Sequence, residues 1–175
     1  MFQTRAIVCL AFVLAQLSAA GACGGGPDRR FPLHGPVSHG LTLAAALSSS
    51  RAISGDPIDL CVDLAVRGRT PIRLWTSGAA ADYEIDVVNV QTSTSLAPQP
   101  SWHVVAGRVG SVTLAPGHDA VDCLPLTRIF DLTHAGTYDV VATRSRPRPY
   151  DVGDGTVTWP PVVSNHVTLT ILPRS

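Results

Sequence analysis

Beyond Gly40 the chain alternates apolar and polar positions with a period of two. Ile58, Leu60, Val62, Leu64 and Val66 fall on one face of an extended segment, and Asp59, Cys61, Asp63 and Ala65 on the other. Such alternation predicts a half-buried strand over 58–66. Leu41-Thr42-Leu43 opens the patterned region, and residues 44–48 read as either strand or a single helical turn. Further strands are predicted over 72–75, 83–90, 102–106, 109–114, 120–127, 137–143 and 162–172. Their spacing of about ten residues is that of an all-β sandwich. Turn chemistry separates them at Gly55-Asp56-Pro57, Gly68-Arg69-Thr70-Pro71, Ala97-Pro98-Gln99-Pro100, Ala115-Pro116-Gly117 and His134-Ala135-Gly136. Fifteen glycines and fourteen prolines suit such loops and are costly inside helices.

The pattern is different before Gly40. Residues 23–39 are rich in Gly and Pro and carry no hydrophobic period, so they read as a linker. A flexible coil of ~17 residues spans roughly 20–25 Å, enough to hold a small domain off a surface. Before it, Arg5 precedes an apolar run from Ala6 to Leu17, too short to span a bilayer, and small residues follow up to Cys23. The chain thus divides into a signal peptide over 1–22, a tether over 23–39 and one domain over 40–175.

Ala20-Gly21-Ala22 has the small-x-small form that an ordinary signal peptidase cuts, which would leave a secreted or periplasmic protein. Ala20-Gly21-Ala22-Cys23-Gly24 also resembles a bacterial lipobox, with Ala20 where that family prefers leucine. The resemblance implies a lipid on the Cys23 thiol, and Gly24 is similar to the second residue of lipoproteins sent on to the outer membrane. Cysteine arithmetic agrees. Cys9 leaves with the signal and Cys23 takes the lipid, so Cys61 and Cys123 remain as an even pair for an oxidising compartment. The expected location is the cell envelope, at the outer membrane or cell surface.

Charge changes the picture little. Formal net charge is zero, which argues against nucleic acid as a partner. All thirteen basic residues are arginine, a usage that looks like a GC-rich bacterial genome. Catalytic motifs are missing: the sequence contains no His-Glu-x-x-His, Gly-x-Ser-x-Gly or Gly-x-Gly-x-x-Gly. Six histidines stand singly, at 34, 39, 103, 118, 134 and 166, without the short paired spacing of a metal site. Asp151-Val152-Gly153-Asp154-Gly155 reads as a hairpin turn rather than a calcium loop. Asp82, Glu84 and Asp86 read as the solvated face of a strand. No enzyme activity, metal or cofactor is expected.

Residues 130–140, Phe-Asp-Leu-Thr-His-Ala-Gly-Thr-Tyr-Asp-Val, resemble the corner before strand F of an immunoglobulin-like or fibronectin-type-III-like sandwich. In those domains the tyrosine, here Tyr138, bonds back to nearby backbone. His134 and Val140 stand where antibody-type domains carry aspartate and cysteine. The strand phrasing is also similar to the N-terminal sandwich of deuterolysin-type metalloproteases and to the bacillar intracellular proteinase inhibitor. The fold expected is a single immunoglobulin-like antiparallel β-sandwich of about seven to nine strands.

In that topology strands 58–66 and 120–127 are neighbours B and E. Setting Cys61 opposite Cys123, both facing out, puts Leu60 opposite Leu124 and Ile58 opposite Leu126 in the core. A disulfide is therefore expected, with a bulge or shifted register near Asp122, which would otherwise face inward opposite Val62. The B–C, D–E and F–G loops gather at one end. Arg67, Arg69, Arg144, Arg146, Arg148, Tyr150 and Trp159, with His118, would form a basic, aromatic tip there for an anionic glycan, a lipid head group or an acidic protein patch. The function expected is a non-catalytic envelope module that presents loops to a partner. The alternative is a proteinase-inhibitor-like protein using the loop 143–161.

Overall fold

The computed structural model describes residue 31 and residues 33–102, 110–144 and 161–175. Its strands are β1 (Leu41–Leu47), β2 (Arg51–Ile53), β3 (Asp59–Val66), β4 (Ile72–Thr76), β5 (Glu84–Asn89), β6 (Thr94–Ser95), β7 (Gly110–Leu114), β8 (Asp119–Pro125), β9 (Gly136–Arg144), β10 (Val162–Val163) and β11 (Val167–Leu172). Two single-turn helices, α1 (Ala79–Asp82) and α2 (Leu126–Ile129), interrupt them. One sheet has the order β1-β3-β8 and the other β2-β11-β9-β5-β6, with β10 also on β9 and a separate β4-β7 pair. This is an all-β sandwich, and its neighbours follow the A-B-E and G-F-C order of immunoglobulin-type domains. Eight of the described strands have five residues or more, and β2, β6 and β10 are short additions.

The core face of β3 is the one the alternation predicts, but Cys61, Asp63 and Ala65 on its other face are buried as well, so the strand is not half-buried. Leu60, Val62 and Leu64 from β3 meet Val87, Tyr138, Val140 and Leu169 from the opposite sheet in one buried core. Element ends depart from the pattern for local reasons. The strand expected to reach Thr127 stops at Pro125, and α2 follows, burying Leu126 and Ile129 together. Proline has no N–H with which to continue a ladder. The segment 162–172 breaks at Ser164-Asn165-His166. There the Asn165 amide accepts from the Ala45 N–H (2.8 Å) and donates to the Ala45 carbonyl (3.2 Å), joining the second sheet to the outer edge of β1. Trp102 lies in a loop, and the rest of the strand expected over 102–106 is outside the described residues.

The expected register holds without a bulge. Cys61 pairs with Cys123, Leu60 with Leu124 and Val62 with Asp122, in an unbroken run from Asp59↔Pro125 to Ala65↔Asp119. Asp122 is accommodated because β8 is a sheet edge and the Tyr83 hydroxyl donates to it at 3.4 Å. Cys61 and Cys123 form the disulfide, with Cα atoms 4.0 Å apart. Only Cys123 is exposed; Cys61 is fully buried, because β3 is the central strand of its sheet. The tyrosine corner is present, with the Tyr138 hydroxyl donating to the His134 carbonyl at 2.8 Å.

The last residues of the Gly/Pro-rich stretch are bonded to the domain. Ser38 and Leu41 exchange two backbone hydrogen bonds around His39 (φ 49°) and Gly40 (φ 79°). That is a type I′ turn, whose positive φ at both central positions makes glycine favourable. The strap then runs back beside β1, where the Gly35 N–H donates to the Leu43 carbonyl at 2.8 Å.

Candidate functional site

The B–C and D–E loops meet as the topology requires. The Val66 N–H donates to the His118 carbonyl and the Gly117 N–H to the Val66 carbonyl. Arg67, Arg69 and His118 are all exposed there. Arg144 does not belong with them: it is 3% exposed, a correction to its place in the expected tip. Arg146, Arg148, Tyr150 and Trp159 lie outside the described residues, as do Cys23, the signal segment 1–22 and most of the loop 143–161.

Arg144 is held inside by polar partners. Its guanidinium donates to the Trp75 carbonyl at 2.6 Å, lies 3.5 Å from the Asp82 carboxylate and sits 5.2 Å from the centre of the Tyr83 ring. Asp82 also accepts from the Thr76 hydroxyl (2.7 Å) and the Ser77 N–H (2.9 Å). It is therefore part of a buried charge network and not of a solvated strand face. Burial pushes the Tyr83 phenol above its ordinary value, so the ring stays neutral and its hydroxyl can donate to Asp122.

A second cluster covers the outer face of the first sheet. His34 Nδ1 is 3.4 Å from Thr42 Oγ1, and His34 Nε2 is 2.7 Å from an Arg67 guanidinium nitrogen and 4.0 Å from the Asp63 carboxylate. The residue types are those of a hydroxyl–imidazole–carboxylate triad, but the protons are set the other way. Arg67 can only donate, so in the neutral ring Nε2 accepts and Nδ1 carries the hydrogen toward Thr42. An imidazole in that tautomer cannot take the Thr42 proton, and Thr42 is itself buried. Asp63 is buried with Oδ1 unpartnered. Burial raises its pKa, Asp119 adds to the rise, and His34 and Arg67 oppose it.

A groove of about 500 Å³ opens on the side of the sandwich between the edges of β5 and β8. Its floor is Leu124, Ile129 and Phe130, its ends are Tyr83 with α1 and Trp102 with Pro98, and one wall is Glu84, Ile85 and Asp86. Three consecutive residues of one strand can line a groove together only along that strand's edge. Among the described residues the edge is open, because β6 pairs only with Val88 and Asn89. Sequence pattern located Glu84 and Asp86 on an exposed face and missed the groove, since nothing local announces that β6 stops after two residues. Among the described residues no group of three or more metal-ligating side chains converges.

No protein-family model matches the chain, and no curated protein matches it in sequence. Among solved structures it is similar to a β-glucosidase from Erythrobacter marinus, with TM-score 0.37 and 11% identity over 75% of this chain. The match spans 15% of that enzyme's length. It is also similar to AvmM, described as catalysing macrocyclization in alchivemycin A biosynthesis, with TM-score 0.36 and 15% identity over 81% of this chain and 99% of that one.

Proposed function

We propose that this chain is a non-catalytic binding module of the cell envelope, anchored by lipid on Cys23, which presents the open side of its sandwich to a protein partner. The groove carries the reading. It joins a buried apolar floor (Leu124, Ile129, Phe130) to a partly exposed Trp102 and two exposed carboxylates. Concave, mostly apolar surface with a few oriented polar groups is what binding sites are made of. The tautomer imposed on His34 by Arg67 supports a non-catalytic role for this triad-like cluster.

A photo-crosslinking side chain placed in living cells at Ala81, exposed on the groove, tests the reading against the same probe at exposed Thr113 on β7. One dominant protein adduct from position 81 and none from 113 is expected. Equal labelling, or none, overturns the groove as the binding face. The anchor is tested separately: Cys23→Ala should release the protein from membranes, and an unmodified N-terminus in the intact mass of the wild type removes the lipid. A second reading, an anionic partner at the loop end, is favoured by the adjacency of exposed Arg67 and His118 with Arg69 in the same loop.

A further inference from the structure

The hydrogen-bonding pattern of β5 says more about what the groove accepts. In an antiparallel strand the N–H and C=O of one residue point to the same side, and successive residues alternate. The Val87 carbonyl accepts from the Leu96 N–H at 2.8 Å, so Val87 faces away from β9, and so does Ile85 two residues earlier. The Val90 N–H donates to Thr137 on β9, which fixes the opposite phase for the even-numbered positions. Among the described residues nothing pairs with the Ile85 N–H, the Ile85 C=O or the Val87 N–H. The two Ile85 groups open along the groove wall, whereas Val87 is fully buried beyond the end of its lining. The Ile85 side chain packs toward the core, while Glu84 and Asp86 are exposed on the outer face. Asp139, opposite Val88 on that face, is already paired with His166 at 2.6 Å, which leaves Glu84 and Asp86 as the carboxylates of the groove wall.

We infer that the groove takes an extended peptide which adds to β5 as a strand, with an apolar residue opposite Ile85 flanked on each side by a basic residue. This rests on the groove being the binding face. Ile85 sits at a hydrogen-bonded position, so the residue opposite exchanges both backbone bonds with it and points its side chain at Leu124, Ile129 and Phe130. Its two neighbours point outward beside Glu84 and Asp86, at cross-strand distances of about 5 Å. Opposite charges there favour pairing and like charges oppose it. Backbone bonds supply attachment, and the basic–apolar–basic order supplies selection.

The test uses the full chain in detergent and fluorescein-labelled Thr-Arg-Leu-Arg-Thr, blocked at its C-terminus, followed by anisotropy. Saturable binding is expected. It should weaken at least tenfold when both arginines become glutamate, when the central leucine is N-methylated, or when the protein carries Glu84→Gln with Asp86→Asn. Both positions are exposed, and an unchanged melting temperature checks that the variant is folded. Equal binding of the N-methylated peptide overturns strand addition, and equal binding of the glutamate peptide overturns charge selection. No binding by any of the peptides overturns the inference as a whole. If the crosslink from position 81 persists while these peptides stay inert, the groove remains the binding face and only the strand chemistry is wrong. Failure of both removes the groove itself.

Discussion

Arg144 and Asp82 meet 3.5 Å apart with side chains only 4% and 8% exposed. The pair ties the end of β9 to α1, and Tyr83 and the Trp75 carbonyl hold the guanidinium from two further directions. A basic residue that immediately precedes the proline- and arginine-rich sequence 145–149 is thereby turned inward.

Removing the cation alone strands Asp82 in a low-dielectric site. Breaking a buried pair from one side costs ~3–5 kcal/mol. The Thr76 and Ser77 bonds to Asp82 remain, so Arg144→Gln is expected to lose about 3 kcal/mol, at the lower end of that range. Combining Arg144→Met with Asp82→Leu should cost less than Arg144→Gln, because neither charge is then left unpaired. Urea unfolding of both variants measures this. A loss below about 0.5 kcal/mol for Arg144→Gln, the scale of an ordinary surface change, would mean that the side chain is solvated after all.

The Cys61–Cys123 bridge closes a separation of 62 residues between neighbouring strands. Chain entropy assigns a loop of that size about 4 kcal/mol. Replacing both cysteines with alanine should therefore lower the melting temperature by on the order of 10 °C for a domain of this size. The fold should otherwise survive, since Leu60 and Leu124 keep the register in the core. Non-reducing peptide mapping should recover the two residues in one fragment. Alkylation of either without reductant would remove the bridge.

The alternation of Ile58–Val66, the apolar pairs it implies and the B–E adjacency of the resembled topology were enough to set β3 against β8 and to pair the cysteines, but not to see that the ladder runs unbroken through Asp122. Tyr138 was legible too, because its corner is set by residues close in sequence. Arg144 was not. Its burial depends on Asp82, Tyr83 and Trp75, which arrive from other elements, and sequence gives no sign that a loop-flanking arginine will meet a carboxylate. His34 illustrates the same limit. It reads as a lone linker histidine, yet it lies within reach of Thr42, Asp63 and Arg67. The groove escaped because its edge, among the described residues, is set by how early the pairing of β6 with β5 ends.

Gly35 tests whether the strap belongs to the fold. A Cβ at this position would stand 2.0 Å from the Val163 carbonyl oxygen, a backbone atom that cannot swing aside. Gly35→Ala should force the strap off β1 and break the bond from Gly35 to the Leu43 carbonyl. The expected result is faster proteolytic cleavage between residues 33 and 39 and a lowered melting temperature, by roughly 1–3 kcal/mol in stability, as for other overpacked sites. Unchanged cleavage in Gly35→Ala would show that the strap does not need this close approach.

Asp63 sits on the outer face of β3, buried, and its carboxyl holds a proton to higher pH than in the unfolded chain. Burial is the main cause; Asp119 on β8 reinforces it, and His34 and Arg67 offset part of it. A group whose folded pKa is raised favours the folded state fully below its unfolded value of 3.8, and that contribution is lost as pH rises through the folded pKa. Asp63→Asn carries no charge at any pH and does not undergo this loss. The variant should therefore match the wild type most closely in acid and gain on it as pH climbs through the window above 3.8, ending more stable at neutral pH. Melting temperatures of both proteins between about pH 3.5 and 7 measure the gap across the carboxylate range and beyond it. If Asp63→Asn is instead the less stable protein at neutral pH, attraction from His34 and Arg67 outweighs burial and the carboxylate is a clasp for the strap. A gap that does not change with pH would mean that Asp63 is as well solvated folded as unfolded.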